Sequence, residues 1–207
     1  HRLEDYLITH AEDDTCLGIL IAFHTGIRLG ELCALTWECI DLEESVLSIK
    51  RSMQRTSGKI EAGKTEIVLQ EPKSLTSLRS IPLPPVLLPF LKQYRQPDPC
   101  YVIRGKKKPF AEPRTVQYRF SKILKQCQCE DFHFHMLRHA FATRCIDMGF
   151  DVKSLSEILG HSNVQITMNL YVHSTMQRKK QLMNLFTAKP PEEMQYLDLL
   201  TDVLDEL

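Results

Sequence analysis

From Arg2 to Trp37 apolar positions recur at helical spacing, with Leu17, Leu20, Ile21 and His24 in register. Gly26 and Gly30 then bracket Arg28 at a break before a second short helix. Between Val46 and Pro82 the texture changes to short β-type runs, Val46–Lys50, Ile67–Gln70 and Arg79–Leu83. Ser57-Gly58 and Pro72–Ser77 separate them, which reads as one small antiparallel sheet. Pro84 and Pro85 open a helix through about Tyr94, the Pro97–Pro99 stretch ends it, and Tyr101–Phe110 is placed as a short hairpin. Pro113 suits the first position of a helix running to about Cys127, after which helices dominate. Asp151 is the expected N-cap of one of these and Gly160 its stop. Ser162 with Gln165 has capping-box spacing for the next, starting near Asn163, so His161 falls in the turn between them. Pro190-Pro191 breaks the chain before Glu192–Leu207, an acidic amphipathic tail with Leu197, Leu200, Leu204 and Leu207 at helical spacing. The expected fold class is therefore mainly α with a small antiparallel β-sheet (α+β).

Composition narrows the class further. The chain has 207 residues, 43% of them hydrophobic, enough to bury a core in one or two compact soluble domains. Its longest apolar stretch, Leu17–Phe23, falls well short of the ~20 residues a membrane span needs. No membrane association is expected. Residue 1 is His, which fits an excised fragment. Seven cysteines without a framework point to a reducing, cytoplasmic setting without disulfides. A formal net charge of zero conceals segregation. Residues 1–45 hold 2 basic and 10 acidic side chains, residues 46–180 hold 23 and 10, and residues 181–207 hold 1 and 6. The basic middle, net +13, is the electrostatic footprint of a nucleic-acid binder, although any single run such as Arg104–Lys108 or Arg178–Lys180 is by itself an ordinary solvated surface.

Three polar clusters mix phosphate-binding and proton-transferring groups: Thr25–Glu31, His135-Met-Leu-Arg138-His139, and Leu159-Gly-His161 followed by Tyr171. His135 and Arg138 lie three apart on a predicted helix and share a face, where a guanidinium beside an imidazole can grip an oxyanion and move a proton. A solvated face with one packed histidine fits equally well. His161 and Tyr171 are ten residues apart, ~15 Å on a straight helix, so a bend is needed to bring them together. Cys127, Cys129, His133, His135 and His139 form a dense Cys/His group, but the Cys-Gln-Cys spacing does not match structural zinc sites. Glu31 alone cannot supply the converging carboxylates of two-metal chemistry. No metal or other cofactor is expected. What remains is an inventory suited to a phosphodiester: cations for the nonbridging oxygens, a phenol as nucleophile, and proton carriers.

The runs Thr25-Gly-Ile-Arg-Leu-Gly-Glu-Leu-Cys-Ala-Leu-Thr-Trp37, Arg79-Ser-Ile-Pro-Leu83, His135-Met-Leu-Arg-His-Ala-Phe-Ala-Thr143 and Leu159-Gly-His-Ser-Asn163 with Tyr171 resemble, in this order, the tyrosine recombinase (phage integrase) catalytic domain, as found in integrases of phages and conjugative transposons. The resemblance spans about residues 10–187 and implies that family's catalytic-domain fold, with a catalytic domain over residues 1–187 and a tail over residues 188–207 docking on itself or on a neighbour. It implies Arg28 and Arg138 as the clamp on the scissile phosphate and Tyr171 as the nucleophile forming a 3′-phosphotyrosyl bond. His135 would be general base or proton carrier, His161 a donor to the phosphate, Lys73 the general acid, and Glu31 the group that orients Arg28. Lys106, Lys107, Lys108, Arg178 and Lys179 are the candidate DNA contacts. The implied activity is site-specific recombination of double-stranded DNA through a homotetramer, integrating or excising a mobile element. The family's N-terminal DNA-clasping domain lies outside this chain, so weak DNA binding is expected. A type IB topoisomerase-like relaxing enzyme and a noncatalytic DNA-binding module are the alternatives.

Overall fold

The computed structural model describes residues 2–57, 65–70 and 78–171, together with residues 180 and 183. The chain divides into two compact units, His1–Leu170 and Tyr171–Leu207, and the account below concerns the first. Its elements follow in the order α1 (Arg2–Thr9), α2 (Asp14–Thr25), α3 (Leu29–Ala34), β1 (Ile40–Asp41), β2 (Val46–Ile49), β3 (Ser52–Ser57), β4 (Thr65–Gln70), β5 (Arg79–Pro82), α4 (Leu88–Tyr94), α5 (Pro113–Gln126), α6 (Phe134–Asp147), α7 (Val152–Leu159) and α8 (Val164–Tyr171). This is the expected α+β class, rich in helix. The first helical stretch breaks earlier than its apolar periodicity implies. The Asp13 carboxylate accepts from the backbone N–H groups of Thr15 and Cys16 at 2.9 and 3.0 Å, a cap that starts α2 as a separate helix.

Helix α2 is nearly all apolar, and a helix without a polar face belongs in the interior. Ile19, Leu20, Ile21 and Ala22 are each at most 1% exposed, and α1, α5 and α6 pack around them. On α5, Val116, Phe120, Ile123 and Leu124 form the inner stripe while Arg114, Gln117, Tyr118, Ser121 and Lys122 stay exposed.

The strands form two sheets, which corrects the single sheet expected. One has the order β1-β2-β5, antiparallel, with Leu47 opposite Ile81. The other pairs β3 with β4, Ser52 opposite Gln70. Strand β3, Ser-Met-Gln-Arg-Thr-Ser, lacks the alternation that marks a strand, because only Met53 turns into the core and the ladder to β4 holds the rest. Helix α3 lies against β3 at Gly30, where any Cβ would stand 2.6 Å from the Met53 carbonyl oxygen.

Two further expectations are corrected. Residues 101–110 form no hairpin. Tyr101 makes one isolated bridge to Thr36, and the segment returns through a single Ala111 to Ile103 backbone bond, so neighbouring elements supply its pairing. The start of α8 is capped by Asn163, whose side-chain oxygen accepts from the Gln165 N–H at 2.8 Å, rather than by Ser162. Gly160 ends α7 as expected, in the left-handed region at φ 62°, and His161 sits in the turn that follows. No described helix is long and apolar enough to cross a membrane.

Candidate active site

The site is built at the C-terminal end of α7, where a helix leaves carbonyls without partners and carries the negative end of its dipole. The Ser156 and Glu157 carbonyls are taken by the backbone N–H groups of His161 and Gly160, at 3.1 and 3.0 Å. The next three carbonyls each receive an arginine. Arg79 Nε donates to Ile158 O at 2.6 Å, Arg138 Nη2 to Leu159 O at 2.6 Å and Arg28 Nη2 to Gly160 O at 2.9 Å. Three guanidiniums from the α3 N-terminus, strand β5 and helix α6 thus converge on one helix end. Arg138 also donates to Gly26 O at 2.8 Å, tying the turn between α2 and α3 to the same point.

Glu31, in the first turn of α3, is a carboxylate that Arg28 and Arg79 share. Its Oε1 accepts from Arg28 Nη1 and Arg79 Nη1, both at 2.9 Å, and its Oε2 from the Arg28 backbone N–H at 2.8 Å and Arg79 Nη2 at 2.9 Å. The two side chains of the Arg79–Glu31 fork are 6% and 5% exposed, whereas Arg28 is 40% exposed. Burial alone would raise the Glu31 pKa, but hydrogen bonds and charge from Arg79, then Arg28, overcome it and hold the carboxyl below its ordinary value. Burial and then the neighbouring Arg28 charge bring Arg138 down to about 9, still a cation at neutral pH.

His161 places Nδ1 2.8 Å from the Thr167 hydroxyl on α8. Burial first, then the charges of Arg138, Arg28 and Arg79, push its pKa down to about 4, so its ring is neutral at physiological pH. His135, exposed on α6, is also lowered, by burial and then by His139 and Arg138, and its ring meets that of His139 edge to face at 4.6 Å. Arg28, Arg138, His135, Gln117 and Arg55 line one open groove of about 500 Å³, while Arg79, Gly160 and His161 line a second of about 750 Å³.

The fold therefore brings together Arg28, Glu31, Arg138 and His161, with His135 at the groove wall. Lys106, Lys107 and Lys108 stand apart from them, exposed beside Tyr118 and Lys122, and Lys108 pairs with Glu112 at 2.8 Å. Tyr171 ends α8, and its side chain lies outside the described residues, as do Lys73, Arg178, Lys179 and the tail. Among the described residues no group of three or more His, Cys, Asp or Glu is placed to hold a metal ion. Sequence reasoning did not put Arg79 in the site. It lies in the Arg79-Ser-Ile-Pro motif, but its partner Glu31 is 48 residues away, and only pairing across the fold reveals it.

Three guanidiniums and one carboxylate gathered at a helix end form an arrangement chemically suited to phosphate oxygens. Comparison with known proteins sharpens that reading. The profile of the phage integrase family matches residues 2–178, and the chain belongs to that family. It is 32% identical over 178 residues to a tyrosine recombinase XerC-like protein of Caldanaerobacter subterraneus, covering 77% of this chain and 46% of that protein. It is 31% identical over 169 residues to tyrosine recombinase XerA of Pyrococcus furiosus, covering 79% and 51%. The chain thus spans about half the length of these curated relatives. Among solved structures, the Tn1549 transposon integrase in complex with transposon right end DNA superposes with a TM-score of 0.72 at 24% identity, covering 89% of this chain and 64% of that one. The catalytic domain of bacteriophage HP1 integrase gives 0.57 at 18%, covering 94% and 96%. The fold is that of a tyrosine recombinase catalytic domain.

Proposed function

We propose that this chain is the catalytic part of a site-specific DNA recombinase that cuts and rejoins strands through a covalent tyrosine intermediate. The observation that carries the reading is the convergence of Arg28 and Arg138 on consecutive carbonyls of the α7 end, beside a neutral His161, in a chain of the phage integrase family. Guanidiniums held this way present their remaining N–H groups to the nonbridging oxygens of a phosphodiester as charge grows on them.

In the proposed step the Tyr171 phenolic oxygen attacks phosphorus. The O–P bond to tyrosine forms, the bond from phosphorus to the 5′ oxygen breaks, and the DNA keeps a 3′-phosphotyrosyl link. The phenol has an ordinary pKa of about 10, so its proton passes to a base as it attacks, the role assigned to His135. Lys73 protonates the departing 5′ oxygen. His161, neutral, donates a hydrogen bond to the phosphate. A 5′ hydroxyl from a second strand reverses the step, and because the phosphotyrosine stores the bond, neither water nor nucleotide is consumed. Lys106, Lys107, Lys108, Arg178 and Lys179 are assigned to the DNA backbone. Residues 1–187 are assigned to the catalytic domain and residues 188–207 to an acidic tail that docks on its own protomer or on a neighbour, and the recombinase is assigned to a tetramer in the cytoplasm. The names of the relatives, tyrosine recombinases and a transposon integrase bound to DNA, support this reading.

The test is a denaturant-resistant protein–DNA adduct formed on nicked duplexes with a randomised core and mapped to Tyr171. Tyr171→Phe should abolish the adduct and retain DNA binding. An adduct undiminished in Tyr171→Phe would refute the assignment, and strand exchange between two captured sites separates recombination from simple relaxation.

A further inference from the structure

We propose that Arg79 is a positioning residue for the phosphodiester site: by neutralising Glu31 it leaves the charge of Arg28 for the substrate, and by bonding the Ile158 carbonyl it fixes the helix end from which Arg28 and Arg138 hang. The inference rests on the recombinase reading and assigns a role to a residue outside the proposed catalytic set.

The argument starts from the carboxylate. Glu31 is 5% exposed and has its two oxygens filled by four donors, two from Arg28 and two from Arg79. The shares differ in kind. Arg79 gives a two-point fork from its guanidinium, the geometry that most closely matches a carboxylate, whereas Arg28 gives one guanidinium bond and one backbone N–H. The buried member of the trio, Arg79 at 6%, thus takes the carboxylate's charge, and the member that reaches solvent, Arg28 at 40%, retains an exposed face on the groove.

The charge count gives the consequence. Among the described residues, Arg28, Arg79 and Arg138 against Glu31 leave two net positive charges around the α7 end. With Arg79 removed, Glu31 cancels one of the two remaining arginines, and its carboxylate, left to Arg28 alone, draws that guanidinium inward, away from a phosphate. Removing Glu31 at the same time restores the balance, since two cations then remain with no anion between them. Arg79 is also held tightly enough to act as a spacer. A Cβ on Gly160 would meet its Nη1 at 2.9 Å and its Cδ at 3.0 Å, so helix end and guanidinium are in direct contact.

A double-mutant cycle tests this on adduct formation with the randomised nicked duplexes, as single-turnover rates against DNA concentration, at a temperature below the melting of every variant. Arg79→Gln should slow the rate at saturating DNA by about tenfold or more, the size of one coupled buried contact. The pair Arg79→Gln with Glu31→Gln should be faster than Arg79→Gln alone, a rescue that a packing role does not produce. An Arg79→Gln rate equal to wild type, or a double variant no faster than the single one, overturns the proposal. If Arg79→Gln does not fold, the double variant decides alone: activity supports the proposal and inactivity overturns it. A wild-type protein that forms no adduct fails earlier, at the recombinase reading itself, and is thereby told apart.

Discussion

Burial decides how much an ion pair matters, and Glu31 and Glu112, each bound to two cationic side chains, sit in opposite surroundings. Glu31 bonds Arg28 and Arg79 in the interior, and Glu112 bonds Arg55 at 2.6 Å and Lys108 at 2.8 Å on the surface. Glu31→Ala leaves the Arg79 guanidinium, its side chain 6% exposed, without its carboxylate partner. Breaking a buried pair from one side costs about 3–5 kcal/mol. For a chain of this size each kcal/mol is about 2–4 °C in melting temperature, so the expected fall is about 6–20 °C. Glu112→Ala removes pairs whose cationic partners are 31% and 53% exposed, and such pairs contribute about 0–1 kcal/mol. The assay is thermal unfolding of both variants by circular dichroism at pH 7. Equal, small shifts in the two would refute the claim that the arginine cluster depends on a buried carboxylate. The same experiment extends to acid. The folded pKa of Glu31 is depressed, so its contribution is complete above the ordinary carboxylate value and is lost as pH falls through the folded value. Glu31→Gln should therefore flatten that acid limb relative to wild type.

His161 should titrate in the folded protein at about 4, and imidazole NMR showing a transition near the ordinary histidine value would contradict its place among three arginines; because this pKa is lowered, stability should decline as pH drops from about 6.5 toward 4. Gly26→Ala puts a side chain at φ 66° with its Cβ 2.5 Å from Phe141 Cδ1, combining left-handed strain with overpacking, and should cost about 2–5 kcal/mol in denaturant unfolding; a loss below about 1 kcal/mol would show that α6 yields freely. Replacing Lys106, Lys107 and Lys108 together by Ala should lower the slope of log affinity for duplex DNA against log salt by about 0.9 for each lysine that neutralises a phosphate, whereas an unchanged slope removes them from the interface.

The sequence by itself determined the helices whose ends carry chemical punctuation. Pro113 starts α5, Asp151 caps α7 and Gly160 stops it, because each residue type acts on the backbone within a few positions. It also identified Arg28, Glu31, Arg138 and His161 as one group, through motifs long enough to resemble a family. Tertiary structure decided the rest. Strand β3 exists through its ladder to β4 rather than through its own pattern, and residues 101–110 take their pairing from Thr36. Arg79 entered the site in the same way. A guanidinium has no preference legible along the chain, and its fork on Glu31 and its bond to Ile158 become visible only when β5, α3 and the end of α7 are brought within hydrogen-bonding distance. Local rules act over a helical turn, whereas charge neutralisation in the interior is set by whichever distant segments the core packs together.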